Sequence, residues 1–366
     1  MKILILCPDW FPNLSGFAIS CYEFSQRLIK NGHEVKILVP SQKDLDKKGL
    51  DVVPICQLFN LLGRNPILFG LLGALRKHSK DVDVILLYSY MYEMNFRTVF
   101  YRWLGLIKKP IILMYRGHLE DYFLPLLGPA IRLAKIVYDN TFAWFLFRKA
   151  DYTISNSKPT LEFIHKKYGL DYNKMAYISN AVELKDFIQS SLDNNRVLFS
   201  GRLAEVKGVK FFDKIVSNIP TDWKFTIVGE GPMKNVVLDL QKKYKNIELL
   251  GKISYEDTKK IYSTSDILVL PTLGEGAPRV VLEACASGVP SVVFDVGDVP
   301  TIMDNDKNGF CIARYDIDDF VKKMKILIKN TRLRKEKGFN ARKFAEKNLD
   351  WDVVYKKMAD EIKKVI

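Results

Sequence analysis

Two glutamates, Glu275 and Glu283, stand eight positions apart in the segment GEGAPRVVLEACASGVP (274–290), the first in a glycine loop and the second inside an apolar run. The preceding DILVLPT reads as a buried strand ending at Thr272, so 273–277 is a loop at the carboxyl end of that strand, where α/β proteins hold ligands. Pro278 has no N–H to leave unpaired and is the expected first helical residue, with Ala277 as N-cap. Alanine carries no side-chain oxygen, so the amides of Arg279, Val280 and Val281 are expected to lack a local acceptor and to suit an anion, phosphate above all. Glu283 then falls about five residues into the helix, roughly 7.5 Å from its start, an offset comparable with that between a nucleotide's phosphate and its ribose. VVLEACA is apolar on all sides, and a carboxylate buried there requires donors. Two ribose hydroxyls would supply them, and so would a lysine or arginine within the core.

A second cluster lies in SGRLAEVKG (200–208), where a strand end is followed by Arg202 and, five residues on, Lys207. Two cations at a strand end, with a helix dipole aimed the same way, would stabilise negative charge on a phosphorylated ligand. VGEGP (228–232) adds Gly229 at a further strand end, where glycine permits a tight turn or a close approach of backbone to ligand. Neither DVD (81–83) nor DID (316–318) is placed as a metal motif: the first precedes a strand and the second sits in a polar connection.

EGAPRVVLEACASGVP resembles the E-x7-E signature of the retaining, group 1 (family 4) glycosyltransferases with the GT-B fold, in both glutamates, the following glycine, the Leu-Glu-Ala core and the Gly-x-Pro stop. The resemblance implies that Glu283 holds the donor ribose and that Glu275 lies against the transferred sugar and its leaving group. Gly276-Ala277-Pro278 departs from the commoner Gly-Phe-Gly and removes one backbone donor. In G-R-x(4)-K-G the family's arginine and lysine grip the diphosphate, roles that fall to Arg202 and Lys207. LLGKISYED (249–257) resembles the segment whose backbone meets the base, which implicates Lys252 and Ile253. Toward the N-terminus Ser15-Gly16 stands where relatives carry Gly-Gly near the donor phosphates; only Gly16 carries over, and Ser15 reads equally as a helix cap. PIILMYRGHLED (110–121) stands where relatives end a strand in His-Gly, so the histidine's role near the sugar falls to Arg116 or to His118. The resemblance further implies a nucleotide-diphosphate sugar as donor, UDP- or GDP-linked, retention of anomeric configuration by front-face attack, and no metal or other cofactor.

These residues need a scaffold, and the chain supplies strands alternating with helices. KILIL, HEVKILVP, DVILLYS, PIILMY and DYTISNS form one series; RVLFSGRL, KFTIVGEG, IELLGKI, DILVLPT and PSVVFDV form another. Alternation of this kind predicts parallel sheets with right-handed crossovers. The expected fold is α/β, two Rossmann-like doubly wound domains facing a central cleft: residues 1–188 on the acceptor side and 189–366 on the donor side, joined around 183–195. The last helix, about 351–366, is a candidate to pack back on the first domain.

The 366 residues, 48% apolar and 27% charged, suit two soluble globular domains. The five cysteines form no CxxC pair, which argues against a disulfide framework or zinc site and for a reducing, cytoplasmic compartment. MKILILCPDWFP is too short in its apolar run for a signal peptide, and no stretch spans a bilayer. The net charge of +14 is spread without a basic tail, which suits phosphorylated small molecules or an anionic membrane rather than nucleic acid, and reads equally as a solubilising lysine coat. Segments 58–78 and 122–149, apolar and basic, read either as core helices or as interfacial helices on the inner face of a plasma membrane, delivering a lipid-linked acceptor. The expected role is polysaccharide biosynthesis by sugar transfer to a glycan or lipid-linked hydroxyl. An epimerase or phosphorylase of the same architecture, or a non-catalytic partner subunit, are the rival readings.

Overall fold

The computed structural model describes residues 1–12, 15–61, 65–115, 129–304 and 306–366. They form two compact units, Met1–Ile178 with Tyr355–Ile366, and Ser179–Val354.

The first unit contains β1 (Lys2–Leu6), α1 (Gly16–Lys30), β2 (Glu34–Pro40), β3 (Val52–Ile55), β4 (Gln57–Leu61), β5 (Asn65–Leu68), α2 (Leu71–His78), β6 (Val84–Tyr88), α3 (Glu93–Trp103) and β7 (Ile111–Tyr115), followed by α4 (Pro129–Asn140), α5 (Phe142–Lys149), β8 (Tyr152–Ser155), α6 (Lys158–Tyr168) and β9 (Met175–Tyr177). Seven strands make a parallel sheet in the order β3-β2-β1-β6-β7-β8-β9. VILLY and IILMY are buried along their whole length, as strands covered on both faces must be.

The second unit runs through β10 (Arg196–Ser200), α7 (Phe212–Val216), β11 (Lys224–Val228), α8 (Lys234–Lys243), β12 (Ile247–Gly251), α9 (Tyr255–Ser263), β13 (Ile267–Leu270) and α10 (Arg279–Ala286). It continues with β14 (Ser291–Phe294), α11 (Val299–Met303), β15 (Gly309–Ile312), α12 (Ile317–Lys329) and α13 (Thr331–Asn348). Its six strands are parallel in the order β12-β11-β10-β13-β14-β15. Both sheets are thus doubly wound, and each order reverses direction beside its first strand, between β1 and β6 and between β10 and β13. The final helix, α14 (Trp351–Lys363), begins in the second unit and continues in the first. In its later part Glu361 accepts a hydrogen bond from the Tyr152 hydroxyl at 2.7 Å, and along one face of the helix Val354, Met358 and Ile362 are fully buried.

Some elements differ from expectation. Segment 58–78 is not helical throughout: its first part is the antiparallel hairpin β4–β5, and only Leu71–His78 is helix. Pro66 and the β-branched Ile67 explain this, since neither favours a helix interior. β3, β9 and β15 escape a pattern reading because they are three- or four-residue edge strands; β3 even carries Pro54, which an edge tolerates. The stretch 183–195 is packed into the second unit through the buried Phe187 and Leu192, and the contact division falls after Ile178. Among the described residues no helix is long and apolar enough to cross a membrane.

Candidate active site

The loops leaving β10 and β13 flank the reversal point of the second sheet, the place where open α/β sheets admit ligands. They are fastened to each other: the Leu273 N–H donates to the Val206 carbonyl at 2.7 Å and the Thr272 hydroxyl donates to the same oxygen at 3.1 Å. Gly208, with φ +76°, lies so close beneath that a Cβ there would stand 1.9 Å from the Pro271 carbonyl oxygen. This fastening brings the Lys207 ammonium onto Glu275 Oε1 in an ion pair, with the two side chains only 24% and 16% exposed. Arg202 is exposed and has no ion pair among the described residues.

Helix α10 begins one residue later than expected. Pro278, at φ −67° and ψ 116°, is the N-cap rather than the first helical residue, and no side chain caps the helix. The cause lies in the carbonyls before it. Asp298 N–H donates to Gly276 O at 2.7 Å and Asn180 Nδ2 donates to Ala277 O at 3.2 Å, so Ala277 is held outside the helix. Val281, expected to lack an acceptor, donates to the Pro278 carbonyl at 3.1 Å. The amides of Arg279 and Val280 remain without an acceptor among the described residues, at the mouth of the β13 loop.

Glu283 is 4% exposed. Its nearest cation is Arg279, one turn back on the same helix, with Nε 3.7 Å from Oε1, too long for a hydrogen bond. Burial pushes the carboxyl up from its ordinary value, opposed first by Arg279 and then by the Tyr262 and Tyr255 hydroxyls. The arginine reading of its partner is therefore present, but only as a neighbouring charge. Tyr255 opens α9, lies under the Arg279 guanidinium at 5.8 Å from ring centre, and has its phenol pushed up to about 12, chiefly by burial and then by Glu283. Neither tyrosine was expected at the site. Their spacing of seven, two helical turns, would have put both on one face of a helix and was the available signal.

The remaining expected residues of this unit follow the ends of neighbouring strands. Gly229, at φ +136°, leaves β11 with its Cβ position 1.9 Å from the Gly201 carbonyl, and its N–H donates to Gly251 O at 2.8 Å. Lys252, exposed, and Ile253, half-buried, leave β12. Arg202, Gly229, Lys252 and Glu275 thus issue from four adjacent strands at one sheet edge, with Gly276 beside Glu275. Gly16 belongs to the first unit, where it starts α1 with no atom of the described residues within 4 Å of its Cβ position; Ser15 is that helix's N-cap, its Oγ accepting from the Ala18 N–H at 3.1 Å. Arg116 and His118 lie outside the described residues.

The acidic triplets do other work. Asp83 accepts from the Lys2 amide at 2.7 Å at the amino end of the first sheet, and Asp316 caps α12. Among the described residues no three His, Cys, Asp or Glu side chains gather as a metal ion would need.

Comparison with known proteins agrees with this architecture. Residues 182–344 match the model of the family "Glycosyl transferases group 1", and residues 14–186 match "Glycosyltransferase Family 4". An uncharacterized glycosyltransferase of Methanocaldococcus jannaschii is 23% identical over 100% of this chain and 98% of its own length. The UDP-Gal:alpha-D-GlcNAc-diphosphoundecaprenol alpha-1,3-galactosyltransferase of Escherichia coli is 33% identical over 50% of this chain; the chain spans about half, 51%, of that relative. Among solved structures, Anabaena HepE in complex with UDP superposes over 100% of both chains with a TM-score of 0.79 at 16% identity, and HepE has also been solved with UDP-glucose. The two family models together account for residues 14–344, and the chain belongs to the group 1 glycosyltransferases of GT-B fold.

Proposed function

We propose that this protein transfers a hexose or related sugar from a nucleotide-diphosphate sugar to a hydroxyl of a glycan or lipid-linked acceptor, with retention of configuration and without a metal. The observation that carries the reading is the carboxyl edge of the second unit's sheet: the Lys207–Glu275 ion pair precedes a helix whose first amides, Arg279 and Val280, lack an acceptor among the described residues and whose Glu283, one turn on, is a buried carboxylate, while Arg202 leaves the neighbouring strand. Amides of Arg279 and Val280 with the two cations suit the diphosphate; Glu283 suits the two ribose hydroxyls, which would give its oxygens the donors that Arg279 at 3.7 Å does not. Lys252 and Ile253 then flank the base, and Gly229 and Gly276 let backbone approach the donor. HepE, solved with UDP and UDP-glucose, and the galactosyltransferase, named for a UDP-Gal donor and a diphosphoundecaprenol-linked acceptor, support a UDP-linked donor and a lipid-linked glycan acceptor.

In the transfer, the bond between the anomeric carbon and the phosphate oxygen breaks, and the acceptor oxygen bonds to that carbon on the same face. The leaving diphosphate takes the acceptor's proton. No protein nucleophile is required. Arg202, Lys207 and the helix start stabilise the charge that grows on the departing phosphate, while Glu275 lies against the transferred sugar. The five unpaired cysteines support a reducing, cytoplasmic setting. The test is Glu275→Ala and Lys207→Ala, each assayed for transfer with a nucleotide-sugar panel: both should lose at least about a hundredfold in kcat/KM with unchanged unfolding temperature. Near-normal turnover in either variant contradicts the assignment.

A further inference from the structure

The loop that precedes α10 is gripped from behind at three consecutive carbonyls. Gly297, at φ +55°, stands so close that a Cβ there would lie 2.0 Å from the Glu275 carbonyl oxygen. The next carbonyl, that of Gly276, accepts from the Asp298 N–H at 2.7 Å, and the third, that of Ala277, accepts from Asn180 Nδ2 at 3.2 Å. The holders are themselves fixed. Val296 and Val299, on either side of Gly297 and Asp298, are buried. Asn180 is flanked by residues bonded to the link between α13 and α14: Ser179 Oγ donates to Asn348 O at 3.2 Å, the Val182 N–H donates to Leu349 O at 2.9 Å, and the Trp351 N–H donates to Val182 O at 3.1 Å.

A trans peptide is planar, with its N–H opposite its C=O. Carbonyls of Glu275 and Gly276 turned toward 297–298 therefore turn the amides of Gly276 and Ala277 the other way. Neither amide has an acceptor among the described residues, and the same holds for Arg279 and Val280. Pro278, between them, has no N–H, so the Ala277 carbonyl that Asn180 holds serves only to fix the turn. Backbone amides left without acceptors in close succession favour an anion. Water could satisfy the three carbonyls equally well on a free loop. Their capture by fixed groups does what water does not: it sets the direction of the amides in advance, so that ordering them adds no cost to binding.

We infer that Asn180, Gly297 and Asp298 are positioning residues for the donor's diphosphate, acting on it through the amides of 276–280. The role rests on the donor reading of this sheet edge, and the two can fail separately. The test compares the wild type with Asn180→Asp, Asn180→Ala and Gly297→Ala. Each is titrated with UDP and GDP by calorimetry, and with uridine and guanosine by ligand-observed NMR. Asn180→Asp keeps the side chain's shape but sets a carboxylate, with no donor, against the Ala277 carbonyl. Whichever nucleoside diphosphate the wild type binds, each folded variant should bind it about tenfold more weakly, while affinity for the nucleoside stays within about twofold. A general loosening of the unit would lower both affinities together. If Gly297→Ala does not fold, the two Asn180 variants, which add no atom to the core, still decide the question. Wild-type affinity for the diphosphate in folded Asn180→Asp, or an equal loss for diphosphate and nucleoside, contradicts the positioning role and leaves the donor reading standing. A wild type that binds neither diphosphate overturns both.

Discussion

Lys207 and Glu275 form an ion pair, and this separates two roles that a loss of activity alone would merge. Removing Glu275 frees the Lys207 ammonium for a phosphate. Glu275→Ala should therefore bind UDP at least as tightly as the wild type while transferring no sugar, whereas Lys207→Ala should bind UDP about tenfold or more weakly. Calorimetry on the two variants checks the split. Glu283 makes a different prediction through pH. Burial raises its carboxyl above the ordinary 4.5, so the folded chain holds a proton over a range where the unfolded chain has lost it. Its contribution to stability is fully present below 4.5 and is lost as pH rises through the raised folded value. Above 4.5 the buried carboxyl is then a cost that grows with pH, and at pH 7–8 Glu283→Gln should unfold at the same temperature as the wild type or higher. The same variant should bind UDP roughly 10- to 100-fold more weakly, because hydrogen bonds to a charged group are lost. A Glu283→Gln protein with a clearly lower unfolding temperature and unchanged UDP affinity would assign the residue to the core alone. Glu283 was legible in the sequence because a carboxylate inside an apolar run is costly and therefore purposeful, and Glu275 because it stands in a glycine loop at a strand's carboxyl end. Tyr255 and Tyr262 were not, since tyrosines at helical spacing look like any packed face.

At the scale of elements, the site depends on how closely two loops are stitched. Gly208 supplies both a left-handed φ and the absence of a Cβ against Pro271. Gly208→Ala should cost at least about 2–3 kcal/mol of stability in the second unit, measured by chemical denaturation, and should depress UDP binding by pulling Lys207 away from the β13 loop. The order of strands and helices could be read from apolar runs, and so could the loops that carry Arg202, Lys207 and Glu275. The helix start was displaced by one residue because Asn180 and Asp298, distant in sequence, engage the carbonyls of Ala277 and Gly276; no local pattern contains that information. The hairpin β4–β5 was equally hidden, since an apolar run with basic residues suits a helix or a strand until its pairing partner is known.

At the scale of the molecule, two doubly wound units divide the candidate residues: Gly16 in the first, and Arg202, Lys207, Glu275 and Glu283 in the second. Because cations and amides of the chain itself suit the diphosphate, transfer should persist within about twofold after exhaustive chelation with EDTA; activity that vanishes and returns with a divalent ion would contradict metal independence. The central claim is that the sheet edge of the second unit receives a nucleoside diphosphate. Its most direct test is calorimetric titration of UDP and GDP into the wild type and into the Arg202→Ala, Lys207→Ala double variant. The wild type should bind one nucleotide saturably, and the variant should bind it at least about a hundredfold more weakly. Binding of neither nucleotide, or equal binding by both proteins, would contradict it.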